Sequence, residues 1–257
     1  MMTKALALNG AHRVYILGRS LSKLQDAAKE SPHGNIIPIE TDVTSKPSLA
    51  AAAAQVAKEV GHINLLIANA GYAGATLERA PDKMDLVAFK DFCWNLDPNE
   101  FNRTYEVNLT AVFFTTIAFL DLLDRGNKAQ NYPSITSQVI ITSSIAGFLK
   151  KAPTVFAYTS SKAGATHMGR NLGAYLAPYQ IRVNVIAPGI FPTELAKGLT
   201  EKYPDGPSRE AIPAGRFGTD EDMAGTLLYL ASRAGAFTDG CTIVLDGGRV
   251  KIAPSAY

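Results

Sequence analysis

This sequence predicts an open parallel α/β sheet, doubly wound, with helices on both faces in three layers. Three observations predict it. Short apolar runs bounded by Gly, Pro or Asn recur along the 257 residues. They alternate with longer segments of helical period, as parallel strands joined by crossover helices do. The residues able to do chemistry gather just after the apolar runs, at the carboxyl ends of strands, where such sheets bind ligands.

Met1–Leu8 reads as a helix closed by Asn9-Gly10, a fair C-terminal signal. Arg13–Leu17 is the first strand candidate, followed by a helix near Ser22–Lys29 and a strand at Ile36–Ile39. A helix near Pro47–Val60 leads to Leu65–Ala68, a buried strand that breaks into the tight turn Asn69-Ala70-Gly71. The segment Tyr72–Glu100 is long, and rich in aromatic and acidic residues. Asn99–Leu123 is an apolar-periodic helix with Asn108 inside it. Gln138–Ile141 is a strand delivering Ser143-Ser144-Ile145-Ala146-Gly147, and Val155–Ala177 is the next helix. Ile181–Ala187 ends in Pro188-Gly189, with Thr193 shortly after. Residues 190–218 read as a variable lid. Thr219 and Asp220 cap a helix running to Ala231, with Glu221 and Asp222 favourably placed in its first turn. Thr242–Leu245 is the last strand, ending in Asp246-Gly247-Gly248.

One domain spanning residues 1–257 fits this alternation and length. Net charge is +2 with no basic block, so nucleic acid is not an expected partner. Cys93 and Cys241 are too few for a disulfide framework. No stretch has the length of a membrane span or signal core, so a cytoplasmic protein without membrane contact is expected. His12, His33, His62 and His167 lie in separate segments without metal-ligand spacing, and no metal site is expected.

Tyr158 and Lys162 stand four residues apart on a predicted helix, so phenol and ammonium address one point in space. A nearby cation favours phenolate, so Lys162 should lower the pKa of Tyr158 toward working pH. Ser144 can hold a carbonyl or hydroxyl oxygen beside that phenol. Such a site moves a proton to or from an alcohol while something else moves the hydride. The spacing alone is weak evidence, and its bland reading is an exposed helix face. Its surroundings raise the signal.

Asn69-Ala70-Gly71, Asn108, Ser144-Ile145-Ala146-Gly147, Tyr158-x-x-x-Lys162 and Pro188-Gly189 with Thr193 fall in a consistent order. Together they resemble the short-chain dehydrogenase/reductase family over nearly the whole chain, which implies a Rossmann-like doubly wound parallel sheet. The chain departs from that family at its start: the first strand and the glycine-rich turn that meets the cofactor pyrophosphate are absent. Their absence should leave two neighbouring strands without ladder partners and open the core. Unpaired buried backbone groups cost about 1–3 kcal/mol each. Either the start codon lies too far downstream, with ~15–25 further residues in the natural product, or the truncation is real and the product is a pseudoenzyme retaining an oligomerisation surface. The first is the expectation, because everything downstream reads as intact machinery.

Cofactor choice rests on Leu17-Gly18-Arg19-Ser20 after the first strand. An acidic residue there would accept from the ribose of NAD; Arg19 and Ser20 can instead hold a 2′-phosphate. NADP(H) is expected over NAD(H). The resemblance implies further roles. Tyr158 protonates the carbonyl oxygen, Lys162 tunes it and bonds the nicotinamide ribose, and Ser144, chosen over Ser143 by register, polarises the carbonyl. Asn108 holds a water linking Lys162 to solvent, or else is a buried Asn satisfying a kinked helix. Asp42 and Val43 border the adenine, although Asp42 could equally cap a turn. Asn69, Ala70 and Gly71 border the adenosine side, while Ile186, Pro188, Gly189 and Thr193 cover the nicotinamide. Relatives pair the Tyr158 helix and the Asn108 helix across interfaces, implying a homodimer or homotetramer.

Residues 190–218 and Tyr72–Glu100, with Phe148, Val155 and Phe156, should form an apolar substrate pocket. The substrate expected is a hydrophobic ketone, 3-oxoacyl or polyketide-like, of the kind found in secondary metabolism. The texture near both ends resembles the rhamnolipid-type 3-oxoacyl-carrier-protein reductases.

Overall fold

A computed structural model describes residues 1–74, 84–151, 156–201 and 203–256. Val155 and residues 75–83 of the expected pocket lie outside them. The chain runs α1 (Met2–Leu8), β1 (Val14–Gly18), α2 (Leu21–Ala28), β2 (Ile36–Glu40), α3 (Lys46–Val60), β3 (Leu65–Ala68), α4 (Leu86–Trp94) and α5 (Pro98–Tyr105). It continues through α6 (Ala111–Ala118), α7 (Leu120–Ala129), β4 (Gln138–Thr142), α8 (Phe156–Leu176), β5 (Arg182–Pro188), α9 (Lys197–Thr200), α10 (Asp220–Ala231), β6 (Thr242–Leu245) and α11 (Arg249–Ile252).

Local chemistry sets the boundaries. Ser20, Ser45 and Asp85 accept backbone N–H bonds at the starts of α2, α3 and α4. Thr219 and Asp222 form a reciprocal capping box at the start of α10. Gly61, in the left-handed region at φ 78°, closes α3.

β3, β4, β5 and β6 form one parallel sheet in that order, while β1 and β2 pair separately. Both faces of the larger sheet are covered by apolar packing. Val139 and Ile141 of β4 pack with Val183 and Val185 of β5 against α6, α7 and α8. Ile140 and Ile186, of opposite parity, pack against Met223, Leu227 and Leu230 of α10 and Ala5 of α1. The smaller sheet reaches the rest through Ile39, Ala52, Val56, Phe119 and Leu122. Strand ends are stitched by buried polar groups: Asn184 donates to Gln138 Oε1 at 2.7 Å, and Gln138 donates to the Leu230 carbonyl at 3.0 Å.

The expected loss of ladder partners is visible. Among the described residues β1 pairs only with β2 and β3 only with β4, and their other edges line a cavity of about 1470 Å³. Val14–Leu17 stand on one bank and Leu65–Ala68 on the other, with Met2 and Leu6 of α1 also contributing.

The helix predicted over Asn99–Leu123 is broken. A π-turn at Glu106–Thr110 interrupts it, and a further break at Phe119 separates α6 from α7. The helix α4 arises within the segment left unassigned by the sequence. No single helix among the described residues is long and apolar enough to cross a membrane.

Candidate active site

The site forms where β4 and β5 end. Ser143 N–H donates to the Ile186 carbonyl at 2.8 Å, so the β4 ladder runs one residue past the strand and turns at Ser144. The two adjacent serines then part. Ser143 is buried, its hydroxyl donates to the Lys162 carbonyl at 2.8 Å, and it lies 2.6 Å from Thr166 Oγ1. It anchors the loop to α8. Ser144 Oγ accepts from Ala146 N–H at 3.1 Å and faces the Tyr158 phenol.

Gly147 fixes how closely this loop can approach. A Cβ there would stand 2.6 Å from Ala163 N and 2.8 Å from the Lys162 carbonyl carbon. Only a residue without a side chain lets Ser144 reach the phenol from this direction.

Lys162 is 3% exposed, and its ammonium stands 5.9 Å from the Tyr158 ring centre. It donates to the Thr142 carbonyl at 3.0 Å. Burial lowers its pKa to about 8. Burial also raises the Tyr158 phenol above the ordinary tyrosine value, and the Ser144 hydroxyl pulls weakly the other way. The expected lowering of Tyr158 by Lys162 is thus not the outcome: desolvation of the phenol dominates.

Asn108 sits in the π-turn and is wholly buried. Its Oδ1 accepts from Tyr72 N–H at 2.7 Å; its Nδ2 donates to the Tyr72 carbonyl at 2.9 Å and to Ser161 Oγ at 3.0 Å. Both amide hydrogens are engaged, so the side chain clamps the turn after β3 onto α8. Gly71 lies against this clamp, with room for a Cβ 3.6 Å from Lys162 Nζ.

A nicotinamide cofactor can be tested against these residues. Lys162 has three donors and one partner among the described residues, and Thr142 Oγ1 is buried without a partner. The spare buried donors of Lys162 fit a polyhydroxylated ribose. Pro188 and Gly189 lie at the end of β5, where Gly189 packs so tightly on Asp246 that a Cβ would come within 2.8 Å of its Cα. Thr193 Oγ1 caps the short turn Glu194–Ala196 and is exposed.

The far end is more open. Arg19 is exposed, while Ser20 caps α2. Asp42 accepts from Thr44 N–H at 2.9 Å and Thr44 Oγ1 at 2.7 Å, which hold its carboxyl below the ordinary range. It is therefore a turn cap, with Arg19 and Arg103 in electrostatic range. Val43, Asn69 and Ala70 line the cavity between the sheets rather than a closed cleft.

Two features escaped the sequence reading. Tyr72 donates a short hydrogen bond to Glu100, and Arg103 lies 5.1 Å from the Tyr72 ring centre. The Glu100/Arg103 spacing, one turn apart on α5, was the available signal. Lys23 of α2 meets Glu194 at 3.1 Å, linking the Arg19 side of the site to the segment after β5; no local pattern could join residues so far apart.

The chain is similar to known proteins over nearly its whole length. A family model described as enoyl-(acyl carrier protein) reductase matches residues 1–249. The short-chain dehydrogenase/reductase PhomF of Diaporthe leptostromiformis is 43% identical over 262 residues, covering 100% of this chain and 89% of that protein. The rhamnolipids biosynthesis 3-oxoacyl-[acyl-carrier-protein] reductase of Pseudomonas aeruginosa is 31% identical over 254 residues, covering 96% and 90%. The solved Pseudomonas aeruginosa RhlG/NADP active-site complex superposes with a TM-score of 0.77 at 29% identity, over 96% of this chain and 90% of that one. With the Ser144, Tyr158 and Lys162 constellation at the carboxyl ends of a parallel sheet, the chain belongs to the short-chain dehydrogenase/reductase family of oxidoreductases.

Proposed function

We propose that the protein interconverts a ketone and a secondary alcohol on a hydrophobic small molecule, 3-oxoacyl or polyketide-like, with NADP(H). The observation that carries this is the buried Lys162 ammonium, with spare donors, beside a Tyr158 phenol that faces Ser144. The bound cofactor supplies the hydride. Ser144 orients and polarises the carbonyl oxygen through its hydroxyl. Tyr158, held protonated by burial, delivers its proton to that oxygen as negative charge develops there. Lys162 holds the nicotinamide ribose and stabilises the phenolate left behind, and Asn108 keeps the Tyr72 turn and α8 in register.

Arg19 favours NADP(H) through a charge-assisted bond to a 2′-phosphate, and the NADP-bound relative supports the same choice. Asp42, Val43, Asn69, Ala70 and Gly71 border the adenosine, and Pro188, Gly189 and Thr193 border the nicotinamide. The 3-oxoacyl reading draws on the rhamnolipid-type relative and on apolar Phe148 and Phe156 beside the loop. In this proposal residues 1–257 act as one domain, with residues 190–218 as the lid, in a cytoplasmic homodimer or homotetramer.

The cavity between β1 and β3 favours a second reading, a non-catalytic relative that keeps an oligomerisation surface. Titration of the purified chain with NADPH and NADH, followed by turnover of 3-oxoacyl thioesters, separates the two. The enzyme reading expects NADPH binding, ketone-dependent oxidation of it, and a loss of roughly 10²–10⁴-fold in turnover for Tyr158→Phe with binding retained. Absence of binding by either nucleotide overturns it.

A further inference from the structure

The C-terminal segment has no part in the chemistry above, yet it touches both walls of the substrate site. After β6, Asp246 accepts from Gly248 N–H at 2.8 Å and from Val250 N–H at 2.7 Å, which fixes the start of α11. Beyond α11 the chain turns back, with Ala253 N–H on the Arg249 carbonyl at 3.1 Å and Ser255 Oγ on the Val250 carbonyl at 3.2 Å. It then lies antiparallel to the residues that follow the catalytic serine. Lys150 N–H donates to the Pro254 carbonyl and Ala256 N–H to the Phe148 carbonyl, both at 2.8 Å, with Leu149 opposite Ser255.

That pairing pins the far end of a continuous hydrogen-bonded run. Gly147 N–H bonds the Ser144 carbonyl, and Phe148 and Leu149 both bond the Ile145 carbonyl. The other end of the same segment grips the opposite wall. Arg249 Nη1 donates to the Ala211 carbonyl at 2.9 Å, and Ala214 N–H donates to the Gly247 carbonyl at 3.0 Å. Gly247 is in the left-handed region at φ 63°, and a Cβ there would come 2.8 Å from Ile212 Cγ2. Residues 211–214 belong to the segment assigned above as the lid.

We infer that Asp246–Ala256 is a strap that couples the lid to the catalytic loop and so sets the opening of the substrate pocket. Arg249 and Ala256 are positioning residues in it, and neither reaches the reacting atoms. Asp246, at the root of the strap, packs on Gly189, but the contacts that Arg249 and Ala256 make lie at Ala211 and Phe148, away from Arg19, so these two residues act on the hydrophobic substrate and not on nucleotide affinity. This inference rests on the ketone-reductase reading for its kinetic consequence, but the mechanical coupling exists without it.

The test uses three variants of the full chain. Ala256→Pro removes the N–H that holds Phe148, Ala256→Ser restores it, and Arg249→Met releases Ala211. Hydrogen exchange of individual amides reads the coupling without requiring activity. Ala256→Pro should speed exchange at Lys150, and Arg249→Met at Ala214, each by roughly tenfold, the size of one net hydrogen bond. Coupling requires more: Arg249→Met must also speed exchange at Lys150, on the wall it does not touch. Ala256→Ser should match the parent.

With a 3-oxoacyl thioester, Ala256→Pro should raise KM by roughly threefold to tenfold, with kcat and NADPH affinity little changed. Unchanged exchange at Lys150 in Arg249→Met overturns the strap, as does unchanged KM in an active Ala256→Pro enzyme. Failure of the parent to bind NADPH strikes the function reading alone, and the exchange result still decides the strap.

Discussion

Above about pH 8 the buried Lys162 ammonium gives up a proton that the unfolded chain keeps to about 10.5. Between those values the unfolded chain binds more protons, so stability rises with pH. Tyr158 acts oppositely: its folded value lies above the ordinary 10.0, so its contribution falls away once the unfolded phenol ionises. The favourable window therefore runs from about pH 8 to about pH 10, and the Lys162 effect is worth roughly 3 kcal/mol across it. Urea midpoints at the two ends of the window should show this rise in the parent, and Lys162→Met should abolish most of it. A midpoint equally pH-dependent in both proteins would mean that Lys162 is not the group responsible. The same desolvation extends to higher pH the range over which Tyr158 keeps its proton. From the sequence, the i, i+4 spacing gave the juxtaposition of these two side chains but not the sign of the phenol's shift, because depth of burial is set by the loop packed over α8.

At the scale of elements, the loop from Ser144 to Gly147 and the helix α8 form a unit through Gly147 and Ser143. Gly147→Ala should force them apart, with a cost of about 1–3 kcal/mol from overpacking against backbone. Turnover should fall further than thermal stability suggests, since Ser144 moves with the loop. Thermal melts and single-turnover rates on the same variant check this, and wild-type turnover in it would show that the loop tolerates the displacement. Strands β3 and β6 were legible to the residue, because an apolar run with turn residues behind it leaves little freedom in its ends. The π-turn at Glu106–Thr110 was not. No Gly or Pro marks it, and its cause is tertiary: Asn108 is held by Tyr72 and Ser161, from two other parts of the chain. The helix α4 was missed for a related reason. Asp85 caps it, but none of its residues is buried, so its apolar side chains follow no core-facing period.

For the whole molecule, a parallel sheet covered by helices on both faces was legible in the alternation of apolar runs and helical segments, whereas its division into β1-β2 and β3-β4-β5-β6 is a feature of the structure. What the sequence could not convey was how the two sheets stay associated, which depends on Phe119 and Leu122 reaching α3. The division has a mechanical consequence. Hydrostatic pressure favours whichever state occupies less volume, and void space is what it removes. The cleft of about 1470 Å³ lined by β1 and β3 opens to solvent on one side, and the part of it that its apolar walls keep dry is volume that unfolding surrenders to water. The volume decrease on unfolding should exceed the roughly 20–100 mL/mol usual for compact proteins. Amide infrared spectra recorded under pressure would read it, and an ordinary value would mean that water already stands between the two strand edges in solution. In a compressed solution, the seam between the two sheets is where this molecule should give way.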